Sequence, residues 1–416
     1  MALPRMLRLR QRFDAPTLED IPAAVRAEVA ALGLAPKIKP GDSVAVSVGS
    51  RGIANIALIT KTLVEELKAL GAEPFLVPAM GSHGGGVAEA QRAIIEGYGV
   101  TEDYVGAPIR ASMDTVQVGA TEDGVPVYFD KYASQADHVA VVGRVKPHTD
   151  FVGEIESGLH KMMLIGLGKH RGASLYHQAI VQYSFDRIIR SVGQTVIDEC
   201  RVLLGLGIVE NPYDKTALIK GVGPDEFYER EKELLVLARK WMPRLPFDRI
   251  DLLLVDEIGK NISGAGMDTN VIGRKFHDHH AAEKEFPKVT RIAVRDLTEI
   301  THGNASGIGT AEYAHRRAID KMDREMTYIN CMTGNHPSGA AIPIYFDTDR
   351  ELITKALQTI GLVDPGKERI VRIKNTLDLA EVLVSEAYLP EVEKRDDLEV
   401  VEGPADMAFD DAGDLA

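Results

Sequence analysis

Short runs of apolar, β-branched residues alternate along the chain with stretches whose apolar positions recur every three to four residues. Ser43–Val48 (SVAVSV) predicts a buried strand, and Ile53 to Leu70 predicts a helix that stops at Gly71. Pro74–Pro78 (PFLVP), His138–Gly143 (HVAVVG) and Val202–Ile208 (VLLGLGI) predict further strands. Helices are expected at Val87–Glu96 and around Gln178–Glu199. Such β-α-β alternation implies a largely parallel sheet covered by helices. The pattern resets at Trp241–Pro246 (WMPRLP), where two prolines precede a fresh strand, Asp251–Val255 (DLLLV). Strands at Arg291–Val294 and Arg369–Ile373 follow, with helices at Ile308–Lys321 and Arg350–Ile360. The expectation is two α/β domains with mostly parallel sheets, residues 1–245 and 246–393. A site at the carboxyl ends of strands, in a cleft between the two, is the default for such folds.

Composition changes this picture little. Apolar residues make up 45% and aromatic residues 6% of the 416, which is ordinary for an α/β protein. The net charge of −14 is unevenly spread: from Lys394 onward there are eight acids and two bases. Residues 394–416 therefore read as a solvated acidic tail with a composition that permits disorder. An acidic chain without a basic stripe argues against nucleic acid as a partner. Cys200 and Cys331 are too few and too far apart for a disulfide framework or a thiolate metal site, which points to a cytoplasmic setting. No segment reaches the length of a membrane span, and MALPRMLRLRQRFDAP lacks the apolar run of a secretory signal.

Three predicted strands end in loops suited to chemistry. VGSRGIANI (Val48 to Ile56) joins a strand to a helix, where free backbone N–H groups attract anions and Arg51 adds a planar fork. A tight turn with an exposed arginine is the plainer reading. PAMGSHGGGV (Pro78 to Val87) surrounds His83 with glycines that permit close backbone approach to a ligand. GRVKPHTDF (Gly143 to Phe151) offers Lys146, His148 and Asp150, and Asp150 is placed to orient the ring of His148. Its plainer reading is a polar turn set by Pro147.

The most unusual stretch is ESGLHKMMLIGLGKHRGASLYH, Glu156 to His177. Lys161 stands among Leu159, Met162, Met163, Leu164 and Ile165, and a lysine so placed loses hydration unless its charge is paired or removed. A core helix whose Lys161 snorkels to the surface is the alternative. GLGKHRG within it lacks the spacing of a phosphate loop. The second domain supplies GKNISGAGMDTNVIGR (Gly259 to Arg274), in which Asn261, Asp268, Asn270 and Arg274 are candidate substrate contacts. It also supplies LTEITHGNASGIG (Leu297 to Gly309), with His302 and Asn304. The run His277, Asp278, His279 and His280 could be a metal cluster, but adjacent residues scatter rather than converge, and a solvated segment is expected.

Taken together, GSRGIANI, PAMGSHGG, RVKPHTDF, ESGLHKM and a helical histidine after GLGKHRGA resemble the nickel-dependent lactate racemase family. The resemblance runs from about Val44 to Ile208 and continues more loosely through GAGMDTNV. It implies a nickel-pincer nucleotide as cofactor, tethered to Lys161 and with His177 as a nickel ligand. Ser50, Arg51, Gly84 and Gly85 are implied as further cofactor contacts, and His83 and His148 as an acid/base pair. It also implies Arg51, Asp268, Asn270 and Arg274 as substrate contacts. The implied reaction is racemisation or epimerisation at a hydroxyl-bearing carbon, with cofactor-making proteins as partners and a homo-oligomer possible. Acylation would remove the charge of Lys161 and so explain its apolar surroundings. Three positions depart from the lactate enzymes. Val48 stands where they have an aspartate, Gly273 where they have a substrate-facing glutamine, and no aromatic lid residue has a clear match. A bulkier 2-hydroxy acid or a sugar-type polyol fits as well as lactate. The rival reading is a non-catalytic protein that binds an anionic metabolite or nucleotide. A nicotinamide dinucleotide enzyme is disfavoured, because GSRG is not a Gly-x-Gly-x-x-Gly fingerprint.

Overall fold

The computed structural model describes residues 3–416, which divide into two compact units. One is Ala15–Met242; the other joins the chain up to Asp14 with Pro243–Ala416. The first strand, β1 (Met6–Gln11), therefore belongs with the carboxyl-terminal unit, which corrects the expectation of one domain over residues 1–245.

In Ala15–Met242 the central sheet has the order β3-β2-β6-β7-β8. Its members are β2 (Ser43–Val48), β3 (Glu73–Pro78), β6 (His138–Arg144), β7 (Val202–Glu210) and β8 (Thr216–Val222), with β4 (Thr115–Ala120) and β5 (Pro126–Asp130) forming a separate hairpin. β3, β2, β6 and β7 run parallel, and β8 closes the edge antiparallel to β7. The period-two rule assigns the faces of β2. Val44, Val46 and Val48 pack with Val25 and Val29 of the helix Ile21–Ala31, and with Ile59, Leu63 and Leu67 of the helix Ile56–Ala69. Ala45 faces the other way, toward Leu159, Met163, Leu167 and the helix Phe185–Glu199. That helix buries Ile188, Ile189, Val192 and Val196 at helical spacing, and each such side chain contributes roughly 1.5–3 kcal/mol on burial.

The chain runs outward from β2 to β3, then returns to place β6 on the opposite side of β2. The reversal makes the carboxyl ends of β2 and β6 a topological switch point, where loops leave in opposite directions and open a crevice. The single helix expected around Gln178–Glu199 is two helices, Lys169–Tyr183 and Phe185–Glu199. They break at Ser184, whose φ of 70° no right-handed helix accommodates.

The other unit is one eight-stranded mixed sheet, order β12-β11-β10-β9-β13-β14-β1-β15. It adds β9 (Arg249–Val255), β10 (Lys288–Val294), β11 (Tyr313–His315), β12 (Ile344–Phe346), β13 (Ile370–Ile373), β14 (Glu381–Ser385) and β15 (Leu398–Ala405). β12 through β13 are parallel, and β14, β1 and β15 are antiparallel. The helix expected over Ile308–Lys321 is instead a 3₁₀ turn at Ile308–Thr310, the strand β11 and a short helix at Arg316–Asp320.

Residues 394–416 are no disordered tail. β15 pairs with β1, and Arg8, Arg10 and Arg12 reach Glu402, Glu381 and Glu399 across the sheet. Beyond β15, Asp414 accepts from His315 at 2.9 Å, and the Leu415 amide donates to Asp349 at 2.9 Å. Among the described residues no helix is long and apolar enough to cross a membrane.

Candidate functional site

The loops after β2, β3 and β6 and the helical turn Leu159–Gly166 meet at one end of the parallel sheet of Ala15–Met242. Met162 and Ile165 mark the junction. A Cβ on Gly49 or Gly143 would lie 3.1 or 2.8 Å from Met162, and one on Gly81 3.0 Å from Ile165. Glycine at these three places lets the loops close on the turn that carries Lys161.

In the β2 loop Arg51 is left-handed, with φ 68°, and its amide donates to the Tyr98 hydroxyl at 2.9 Å. The side chain reaches solvent. Surrounding protein nevertheless draws its pKa down, chiefly by desolvation and then by the charge of Arg144. The backbone anion site expected here is partly taken: the Ala54 amide donates to Glu210 at 2.7 Å, and Glu210 is also paired with Arg144.

In the β3 loop His83 is pinned from both ends. Its Nδ1 lies 2.6 Å from the Met80 carbonyl oxygen, and its Nε2 lies 3.4 Å from Ser50 Oγ. Buried Gln91 donates to the carbonyls of Gly81 at 2.9 Å and His83 at 3.0 Å. Gly84, Gly85 and Gly86 follow with φ of 64°, 65° and 69°, a run that side-chain-bearing residues resist. A Cβ on Gly85 would meet nothing within 4 Å, whereas one on Gly84 would strike Ala90 at 3.0 Å.

In the β6 loop the Nδ1 of His148 accepts from the amides of Asp150 at 2.9 Å and Phe151 at 3.1 Å. The ring stacks on Phe151 with 4.5 Å between centroids. The expected carboxylate–imidazole pair is thus corrected. The Asp150 carboxylate stands 4.0 Å from Nδ1, and it is the backbone of residue 150 that orients the ring. Glu156, buried, accepts the His148 amide at 2.7 Å and pairs with Arg239 at 2.8 Å.

Lys161 is half-buried, and its Nζ donates to Ser157 Oγ at 3.3 Å. Its pKa falls to about 7. Desolvation is the main cause; the charges of Arg51 and Lys146 add to it, and Asp150 and Glu156 oppose it. His177, on the helix Lys169–Tyr183, is also pulled down, by burial first and then by Lys161. Its ring lies 5.7 Å from that of Phe151. An amine and an imidazole both shifted toward their neutral forms are the donor chemistry that acylation and metal ligation require.

The fully buried lysine of the segment is Lys169, eight positions on, and the sequence carries no signal for it. Its Nζ pairs with Asp130 at 3.0 Å and bonds the Pro78 carbonyl at the end of β3. Burial draws both members of that pair toward their neutral forms, against their mutual attraction. GLGKHRG is accordingly a structural tie between β3, β5 and a helix.

Of the candidates in Pro243–Ala416, Arg274 is corrected. Its guanidinium is buried, pairs with Glu312 at 2.9 Å and donates to the Thr310 carbonyl at 2.7 Å. It braces that unit's own backbone. Asp268 caps the short helix Thr269–Ile272, accepting the amide and the side-chain nitrogen of Asn270 at 2.9 Å each. Asn304 is likewise spent on a turn, accepting from the Ser306 amide and hydroxyl. Among the described residues His277, His279 and His280 form no converging metal set. The one group that does, His315 with Asp349 and Asp414, is neutralised by Arg295 and Arg317.

Glu156, Gln91 and Glu210 went unassigned in the sequence. Gln91 alone left a trace, as a polar residue where Ala88–Gly97 turns its buried side inward.

Residues 10–186 match the model of the lactate racemase N-terminal domain. The structure of the lactate racemase apoprotein from Thermoanaerobacterium thermosaccharolyticum aligns over 89% of this chain and 94% of its own, at 12% identity and a TM-score of 0.54. At that identity the likeness establishes the fold. A Thermotoga maritima protein of known structure aligns over 67% of this chain and 72% of its own, at 14% identity and a TM-score of 0.47. No curated protein matches the chain.

Proposed function

We propose that the protein is a racemase or epimerase dependent on a nickel-pincer nucleotide, acting on a 2-hydroxy acid or sugar-like substrate at a hydroxyl-bearing carbon. The observation that carries this reading is Lys161, held with a pKa near 7 at the end of the sheet and electrostatically coupled to His177. An unprotonated amine is a nucleophile toward an acyl group, and its charge is lost for good once an amide-like tether forms. The residues therefore fit the group. Lys161 Nζ would be the tether and the neutral imidazole of His177 a nickel ligand, consistent with imidazole's affinity for this metal. When bound, the cofactor would supply reversible hydride-acceptor chemistry at the hydroxyl-bearing carbon.

The chain's own residues do the rest. Arg51, beside the crevice, binds a carboxylate or phosphate through its planar fork. Ser50 and the Gly84–Gly85 backbone line the cofactor's approach. His83 and His148 between them serve the substrate hydroxyl and its proton, a task suited to imidazole because its ordinary pKa lies near neutrality.

The test is a screen of 2-hydroxy acids and aldoses with the protein co-expressed with cofactor-making proteins, using substrates deuterated at the reacting carbon. Inversion with deuterium retained is the expected result. Inversion with solvent hydrogen incorporated at that carbon, or no inversion of any member, overturns the proposal.

A further inference from the structure

The two histidines are not interchangeable, because their loops hold them as opposite tautomers. A carbonyl oxygen carries no hydrogen, so the 2.6 Å contact of His83 Nδ1 with Met80 requires the proton on Nδ1. In the neutral ring Nε2 then bears the lone pair, and this is the nitrogen facing Ser50. His148 is the reverse. Its Nδ1 accepts two backbone N–H groups and must carry the lone pair, which places the ring proton on Nε2. Both settings are made by backbone. Gln91 fixes the carbonyls around His83, while Glu156 and Phe151 fix the loop and ring of His148.

We propose that His83 Nε2 alone takes up and returns the substrate's hydroxyl proton, and that His148 holds the substrate oxygen as an uncharged Nε2–H donor throughout. This rests on the racemase reading above. In the forward step the O–H bond breaks, an N–H bond forms at His83 Nε2, and the electron pair stays on oxygen; the return step is the reverse. The imidazolium so formed keeps its Nδ1–H on the Met80 carbonyl, a bond that strengthens when the donor is charged. His148 has no such route. Protonation at Nδ1 would set a new N–H against two N–H donors and break both bonds, and loss of the Nε2 proton would leave an imidazolate. A fixed neutral donor still polarises a carbonyl, which is the service such hydrogen bonds give to developing charge.

The test begins with wild-type protein labelled with ¹⁵N at histidine, without cofactor, at a pH where the rings are neutral. Long-range ¹H–¹⁵N correlation reads the tautomer of each ring, assigned with His83→Gln and His148→Gln. Nδ1–H for His83 and Nε2–H for His148 are expected. The same tautomer in both rings, or averaging between tautomers in either, overturns the split. In the loaded enzyme, His83→Gln is expected to lose about 100-fold or more in kcat. His148→Gln keeps an N–H donor and is expected to lose about 10-fold or less, with His148→Leu falling further. Equal losses in the two glutamine variants also overturn the split. The two readings fail differently. Matching tautomers with two crippled variants sink the split and leave the racemase reading standing. Opposite tautomers with two fully active variants sink the histidine assignment, and the split with it, whereas no inversion by the loaded wild-type enzyme sinks the racemase reading.

Discussion

A lysine with a pKa of about 7 makes a prediction that needs neither cofactor nor substrate. At pH 7 such an amine is about half unprotonated, whereas an ordinary lysine is roughly 0.03% unprotonated. The advantage in free amine is therefore about 1,500-fold. Nucleophilicity falls with basicity, by roughly half a log unit per pKa unit in the thiol series. Carried over to 3.5 units of lost basicity, that slope removes about 50-fold and leaves Lys161 roughly 30-fold more reactive than surface lysines at pH 7. The assay is brief treatment of the folded protein with a small acylating reagent across pH 5–11, followed by peptide mass mapping. Access differs among lysines, so the shape of the pH profile is the firm readout. Lys161 is expected to label with a midpoint near pH 7 and the surface lysines above pH 10. Arg51→Gln removes the second-largest cause of the shift, and is expected to move the Lys161 midpoint upward. A Lys161 profile that rises only above pH 10 would refute the reasoning, since an ordinary ammonium has no readiness for acylation.

Two further substitutions separate architecture from chemistry. Arg274→Met removes one member of a buried pair and leaves the Glu312 carboxylate without that counter-charge, and is expected to cost about 3 kcal/mol in denaturant unfolding. Unchanged stability with a raised KM would instead restore Arg274 to substrate binding. Deleting residues 398–416 strips β15 from β1 and removes Asp414 from His315; a clear loss of thermal stability is expected, against no loss for a dispensable tail.

What the sequence reveals follows from where its signals are local. β2, β3, β6 and β7 are continuous apolar runs buried on both faces, so their composition announces them, and the loops after three of them carry their histidines and arginine in plain view. β1 and β15 are the opposite case. MLRLRQ reads as a basic stretch and LEVVEGPA as part of an acidic tail, yet each is the other's partner. Arg8 meets Glu402 and Arg10 lies opposite Glu399 from nearly 400 residues away, and a charge pattern scanned along one segment cannot show this. Exposed pairs of this kind contribute little energy singly, but opposite charges across a ladder favour one register. Lys169 fails for a related reason, because its partner Asp130 lies on a separate hairpin. The tautomers of His83 and His148 depend on which backbone groups a turn points at each ring, which residue types alone do not encode.

The central claim concerns the fate of one amine. The protein is to be co-expressed with cofactor-making proteins, purified, weighed intact, digested for peptide mapping and assayed for nickel. The account predicts an added mass confined to the peptide containing Lys161 and about one nickel per chain, with the nickel lost but the adduct kept in His177→Ala. An unmodified Lys161, or an adduct mapped to Lys169 or any other lysine, would contradict it.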